Sequence, residues 1–235
     1  MQEKFYKHLS ELQSSLKFLL ASARTEIYSD PSKTKVCIAT NGGVVPGMTA
    51  VIKAITKCLE QEYNVKEIYG VKWGFLGLME EKHDDYITKL TAENMADTHA
   101  QGGTILGTSR DEFDLEKVIA SLKRHNFTQI YMIGSIETQH NLKELKDEIR
   151  KQNLQISVIS IPASITNNIP FLDQSFGFNT AVQQSIDFID SANVEAEAAE
   201  YGVGIIRMYG RSEGFIAVQS ALASRGANIV VVPEI

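Results

Sequence analysis

Three stretches carry residue types suited to handling a phosphorylated ligand. Asn41-Gly42-Gly43-Val44-Val45-Pro46-Gly47 follows a short apolar run and precedes a helical one. Glycines let backbone N–H groups come close to an anion, and a helix starting after such a loop adds the positive end of its dipole. Gly102-Gly103-Thr104-Ile105-Leu106-Gly107-Thr108-Ser109-Arg110 ends in a guanidinium, whose fork matches phosphate oxygens. Residues 159–178 lie between a β-rich run and a helical run, and are expected to floor a substrate site. Other chemistry is thin. The histidines, His8, His83, His99, His125 and His140, show no metal-ligand spacing. No Cys-His or Ser-His-Asp grouping can be placed.

The elements that must hold these stretches follow from hydrophobic period. Phe5, Leu9, Leu12, Leu16, Leu19, Ala23 and Ile27 recur at steps of three and four, which predicts an amphipathic helix over residues 3–27, broken at Asp30-Pro31. Strands are expected at 35–40, 67–71, 129–133, 156–161, 202–208 and 228–232. Helices are expected at 48–62, 114–125, 141–151, 178–200 and 213–224, the last capped by Ser212 and left at Gly226. Strands alternating with helices predict an α/β fold, a doubly wound, mostly parallel sheet flanked by helices. Residues 1–30 would be an N-terminal helical extension and 35–235 the α/β region.

Composition narrows the function classes. The chain has 235 residues, 43% of them hydrophobic, and a formal charge of −6. That is enough apolar content for a sizeable core, and the acidic balance argues against a nucleic-acid or anionic-membrane partner. No apolar run reaches the eighteen or so residues of a membrane span. The polar N-terminus is not a signal peptide, and Cys37 and Cys58 form no disulfide framework; both are expected as reduced, largely buried thiols. A cytoplasmic protein is the expectation.

The same stretches, taken in order, resemble the phosphofructokinase family, nearest its plant-like and pyrophosphate-type branch. Gly42-Gly43-Val44-Val45-Pro46-Gly47 resembles Gly-Gly-x-x-Pro-Gly, and Gly70-Val71-Lys72-Trp73-Gly74-Phe75-Leu76-Gly77-Leu78 resembles Gly-x-x-x-Gly-Phe-x-Gly-Leu. The loop ending at Arg110 is similar to Gly-Gly-Thr-x-Leu-Gly-Ser-x-Arg, and Tyr209-Gly210-Arg211 and Pro233-Glu234 to Met-Gly-Arg and Pro-Glu. The resemblance covers residues 35–235 and implies a degenerate member reaching roughly the family's N-terminal half. It assigns Gly42, Gly43, Arg110 and Glu137 to the donor phosphates, and Ser164, Asn167, Gly210, Arg211 and Glu234 to the sugar phosphate.

The acids are where the resemblance fails. Where the family has Gly-Gly-Asp-Gly-Thr, this chain has Gly134-Ser135-Ile136-Glu137-Thr138. Ile136 replaces the metal-associated aspartate, and a hydrocarbon cannot ligate Mg²⁺. Where the family has Thr-Ile-Asp-Asn-Asp, this chain has Ser164-Ile165-Thr166-Asn167-Asn168. Thr166 replaces the general base, which costs roughly 10² to 10⁴-fold in rate. Asn168 replaces a further acid, and Ala163 stands where pyrophosphate users carry Lys. The resemblance with its losses implies an inactive structural or regulatory subunit that binds no cofactor. Its partners would be other protein subunits, either an active phosphofructokinase or a cytoskeletal assembly. Two alternatives stay open: a divergent 6-phosphofructokinase using Mg²⁺ with ATP or pyrophosphate, and a module sensing a sugar phosphate or nucleotide. An end at Ile235 is expected to leave apolar surface for a partner.

Overall fold

The computed structural model describes residues 26–80, 84–110 and 113–235. Residues Pro31–Ile235 form one unit. The expected helix at 3–27 lies outside the described residues except for its last two positions.

Five strands build the sheet: β1 (Lys35–Asn41), β2 (Glu67–Val71), β3 (Ile87–Lys89), β4 (Gln129–Gly134) and β5 (Ser157–Pro162). Their order is β3-β2-β1-β4-β5. Pairings among β1, β2, β4 and β5 are parallel, and only the short edge strand β3 runs antiparallel, against β2. That antiparallel edge has no clear signal in the sequence, since Ile87-Thr88-Lys89 is three residues long. The chain runs from β1 to β2 on one side and later to β4 on the other. The strand order therefore reverses between β1 and β4, the position where sheets of this kind open a crevice at their carboxyl ends.

Period-2 alternation splits β1 between two helical layers. Cys37 and Ala39 point to α2 (Gly74–Met79), α3 (Leu115–Arg124) and α4 (Ile136–Lys151), with Phe75, Leu122, Met132 and Leu145 in the same cluster. Val36 and Ile38 point to α1 (Met48–Lys57), with Met48, Ile52, Ile68 and Leu106. Both helical layers are thus pinned by adjacent residues of one central strand. Cys37 is fully buried, which pushes its thiol well up, out of reach of the thiolate. Cys58 is only half-buried, in a π turn (Cys58–Glu62) that extends α1, so it is less enclosed than its helical position suggested. No described helix is long and apolar enough to cross a membrane.

The C-terminal third departs from expectation. Helices α5 (Phe178–Ala198) and α6 (Phe215–Ser224) pack on each other through Phe178, Val182 and Ile216. The strands expected at 202–208 and 228–232 do not form. A strand needs a neighbour for its ladder and its cross-strand contacts, and neither segment pairs into the sheet, whose order is β3-β2-β1-β4-β5. Val203, Ile205, Ile229 and Val231 are all exposed. Ser212 is not the cap of α6: the helix starts at Phe215 behind Gly214, whose N–H donates to Glu234 Oε1 at 2.7 Å. Its exit residue is Arg225, in the left-handed region at φ 59°, rather than Gly226. In the other direction, α4 begins at Ile136, five residues before the expected 141.

Truncating the fully buried Phe75 to Ala should cost about 3–5 kcal/mol, read as a lower urea midpoint. Val231→Ser, at a residue 85% exposed, should change stability by no more than about 0.5 kcal/mol. A large loss for Val231→Ser would mean that residues 228–232 are packed as a strand in solution.

Candidate functional site

Three strands end level. Asn41 of β1 pairs in register with Gly134 of β4, and Gly134 with Pro162 of β5. The loops that leave these ends therefore lie in a row. Between them opens a cleft of about 390 Å³, lined by Asn41, Gly42 and Gly43 from the first loop, Ser135, Ile136 and Glu137 from the second, and Ser164, Thr166 and Asn168 from the third. Arg110 and Asn141 complete the lining. Of the residues singled out in sequence, Gly42, Gly43, Arg110, Glu137, Ser164, Ile136, Thr166 and Asn168 are brought together here.

The glycine loops are stapled to each other. Gly42 N–H donates to the Ser109 carbonyl at 2.8 Å, and Thr108 Oγ1 donates to the Gly42 carbonyl at 2.8 Å. Gly42 sits at φ 95°, and a Cβ there would come within 3.0 Å of Ser135 Oγ. This position needs glycine both for its dihedral and for its closeness to the next loop. Arg110 lies over Gly43, where an added Cβ would meet its guanidinium at 3.1 Å.

Beneath them is a residue the sequence reading passed over. Asn41 is buried, and its carboxamide reaches three elements. Its Nδ2 donates to Thr138 Oγ1 of α4 at 3.2 Å. Its Oδ1 accepts from Ser109 Oγ at 3.3 Å and from Phe75 N–H at 3.4 Å. An Asn at the end of a strand, just before a Gly-Gly pair, was the available signal.

Glu137 sits at the first turn of α4, whose leading N–H groups have no helical carbonyl to bond. Ser135 Oγ donates to its Oε2 at 2.6 Å. That bond first, then the residue's own backbone N–H and the charges of His140 and Arg110, hold the carboxyl below its ordinary range. At the other end, hydroxyls and amides bond one another. Ser164 Oγ donates to Asn168 Oδ1 at 2.8 Å and lies 3.0 Å from Thr166 Oγ1. Asn168 Nδ2 reaches Glu213 Oε1 at 3.4 Å, so a carboxylate absent from the sequence reading stands behind this motif.

Four expected residues do not line the cleft. Asn167 faces its own loop, accepting from Ser175 N–H at 2.7 Å and donating to the Asp173 carbonyl at 3.1 Å. Glu234 is spent on Gly214. Gly210 lines a separate groove, and Arg211 is exposed. The residues present do not fit a divalent cation. Mg²⁺ needs hard oxygen ligands in octahedral geometry, the lining offers one carboxylate, already engaged by Ser135, and no described group of three His, Cys, Asp or Glu is arranged to hold a metal.

Comparison with known proteins gives the same picture of ancestry. Residues 35–235 match the family model described as phosphofructokinase. The chain is 37% identical over 229 residues to ATP-dependent 6-phosphofructokinase 2 of Arabidopsis thaliana, covering 97% of this chain and 51% of that protein. It is 39% identical over 215 residues to ATP-dependent 6-phosphofructokinase of Borreliella burgdorferi, covering 92% and 48%. It thus spans about half the length of the curated relatives it matches. The fold is like that of phosphofructokinase from Saccharomyces cerevisiae, with a TM-score of 0.67 at 22% identity over 83% of this chain and 26% of that one. It is equally like a pyrophosphate-dependent phosphofructokinase from Marinobacter aquaeolei, with a TM-score of 0.66 at 17% identity over 80% and 49%.

Two outcomes are expected. Asn41→Leu keeps the volume but strands the Ser109 hydroxyl, the Phe75 N–H and Thr138 Oγ1; unfolding in urea should show a loss of at least about 2 kcal/mol. The depressed Glu137 carboxyl contributes stability that is present above the unfolded-state value and lost as pH falls through the lower folded value. The stability difference between wild type and Glu137→Gln should therefore narrow as pH drops through the ordinary glutamate range and below. A difference unchanged between neutral and acidic pH would mean Glu137 makes no such contacts.

Proposed function

The chain belongs to the phosphofructokinase family, and from that premise we propose that it has lost phosphoryl transfer and works as a structural or regulatory subunit of a larger assembly. One observation carries this reading. Among the residues lining the cleft, the single carboxylate is Glu137, and it is tied to Ser135. Phosphoryl transfer needs a carboxylate to take the acceptor proton and a metal to bridge the donor phosphates. Ile136 and Thr166 stand where the resemblance puts those acids, and both line the cleft. A threonine hydroxyl is no base near neutral pH, and Arg110 alone leaves most of the developing charge unmet.

The assembly part of the proposal is supported by the C-terminal third. Val203, Ile205, Ile229 and Val231 are exposed around a groove of about 760 Å³ floored by Ala192, Ala196, Ala217 and Ala221. Clustered apolar exposure of this kind marks a surface that another polypeptide covers. A second phosphofructokinase-type chain is the partner we favour; a cytoskeletal assembly gains no support from this surface. A cytoplasmic setting goes with the proposal.

A second reading has its own observation. The relatives are named ATP-dependent 6-phosphofructokinases, and Glu213 beside Asn168 keeps one carboxylate near the third loop. On that reading the chain is a divergent phosphotransferase with Glu213 as a displaced base.

A coupled assay with fructose 6-phosphate, Mg²⁺ and either ATP or pyrophosphate separates the two. We expect turnover below about 0.1 s⁻¹, against roughly 10 s⁻¹ for a median enzyme. Turnover above that limit, abolished by Glu213→Gln, would establish the second reading and remove the first.

A further inference from the structure

Two segments have the pattern of strands and no ladder partner among the described residues. Along residues 203–209 exposure alternates: Val203, Ile205 and Tyr209 are exposed, while Ile206 and Met208 are half-buried. Along 229–232 it alternates again, with Ile229 and Val231 83% and 85% exposed, Val230 42% exposed and Val232 half-buried. That is the period of a pleat with one face against the molecule and the other bare. Both segments line the groove floored by alanines of α5 and α6. Their backbones are as bare as their outer side chains. Among the described residues, neither 203–211 nor 227–235 makes a backbone–backbone hydrogen bond. Aliphatic side chains alone would mark a sticky patch; free N–H and C=O groups along the same segments make a template for another strand.

Residues 228–232 fit a second copy of the same segment. Asn228-Ile229-Val230-Val231-Val232 carries no charge, so two copies laid antiparallel put no like charges opposite each other. With a two-fold axis at Val230, Ile229 of each copy lies opposite Val231 of the other. Continued outward, this register sets Gly226 opposite Glu234 and brings Arg225 of each copy beside Glu234 of the other. Both residues are exposed, and the described ion pairs, Lys117–Asp114 and Lys151–Glu148, include neither. Charge thus favours this register at both ends of the pairing. Residues 203–209 are less suited, since centring them on Ile206 sets Ile205 against Arg207. We propose that the chain forms a two-fold dimer in which residues 228–232 of two copies pair as antiparallel strands. Each copy supplies the other's missing neighbour with the same surface, as a closed symmetric interface requires. The inference deepens the assembly reading above and rests on it: the partner is an identical chain.

The full chain is followed by sedimentation velocity and by amide exchange over a wide range of concentration. A dimer should form as concentration rises, and the amides of residues 228–232 should exchange more slowly in step with it. Arg225→Glu and Glu234→Lys each set like charges at both junctions, and each should dissociate roughly tenfold more readily than wild type. Mixed together, the two variants should associate again, because every junction then pairs opposite charges. Val231, bare in the monomer, becomes a cross-strand partner in the dimer. Val231→Ser should therefore weaken association while leaving urea unfolding of the dilute monomer nearly unchanged. A monomer at every concentration would overturn the proposal and leave the edge to a strand from a different chain. A dimer whose 228–232 amides exchange freely would overturn it too, since the contact would lie elsewhere. Should Glu234→Lys fail to fold for want of its bond to Gly214, Val231→Ser and Arg225→Glu still decide, and unchanged association of both would sink the pairing. The kinase assay reads turnover and this experiment reads the identity of the partner, so failure of one does not mimic failure of the other.

Discussion

The buried carboxamide of Asn41 is the contact on which this edge of the molecule depends. It sits where β1 ends, and it bonds to Thr138 on α4, Ser109 in the glycine loop and the first amide turn of α2 through Phe75. These three segments belong to different crossovers, separated by tens of residues. Hydrophobic burial fixes the sheet and its two helical layers, but it is not directional. Loops that leave the sheet need directional contacts to hold them at hydrogen-bond precision. One amide, with both its donor and its acceptor used, couples the loop carrying Arg110 and the helix carrying Glu137 to the strand that ends just before Gly42. Gly74, at φ 58°, packs directly on Asn41, where a Cβ would lie 2.7 Å from Oδ1. The glycine is therefore part of the same arrangement.

Where local pattern and tertiary context agree, the fold was legible from sequence. Residues 35–40, 67–71, 129–133 and 156–161 are apolar, short and flanked by helical period, and all became parallel strands within a residue of expectation. The segments 202–208 and 228–232 carry an equally strong β signal but remain unpaired. The difference lies outside those segments. β propensity reports how well a residue suits a pleated surface with neighbours, and neither segment pairs with a described strand. Gly202 and Gly204 lie close on the backbone of α5, where a Cβ would come within 2.2 Å and 3.1 Å of the Ala196 and Ala192 carbonyls. The chain there follows the helix rather than a ladder.

The candidate site was legible by residue type and only partly by position. Motif order singled out Gly42, Arg110, Glu137, Ser164 and Thr166, and these residues line one cleft. It could not show where each polar side chain spends its hydrogen bonds. Asn167 and Ser164 are three residues apart, yet one is turned into its own loop and the other into the cleft. At φ 55° Asn167 is in the left-handed region, where its amide closes a local turn. Glu213 was invisible for the opposite reason: it meets Asn168 across forty-five residues of chain, and no local pattern encodes that meeting.

The polar residues of the cleft share a common logic when their contacts are weighed as physical demands. A site that binds phosphate and metal keeps charges waiting, and waiting charges are expensive to bury. Here the third loop carries Ser164, Thr166 and Asn168, whose side chains bond one another. The second loop presents Ile136, and its one acid, Glu137, lies against Ser135. Among the described residues, no buried side-chain nitrogen or oxygen is left without a partner. The polar groups of the cleft hold one another, and through Asn41, Ser109 and Thr138 their hydrogen bonds tie the loops at this edge of the sheet together.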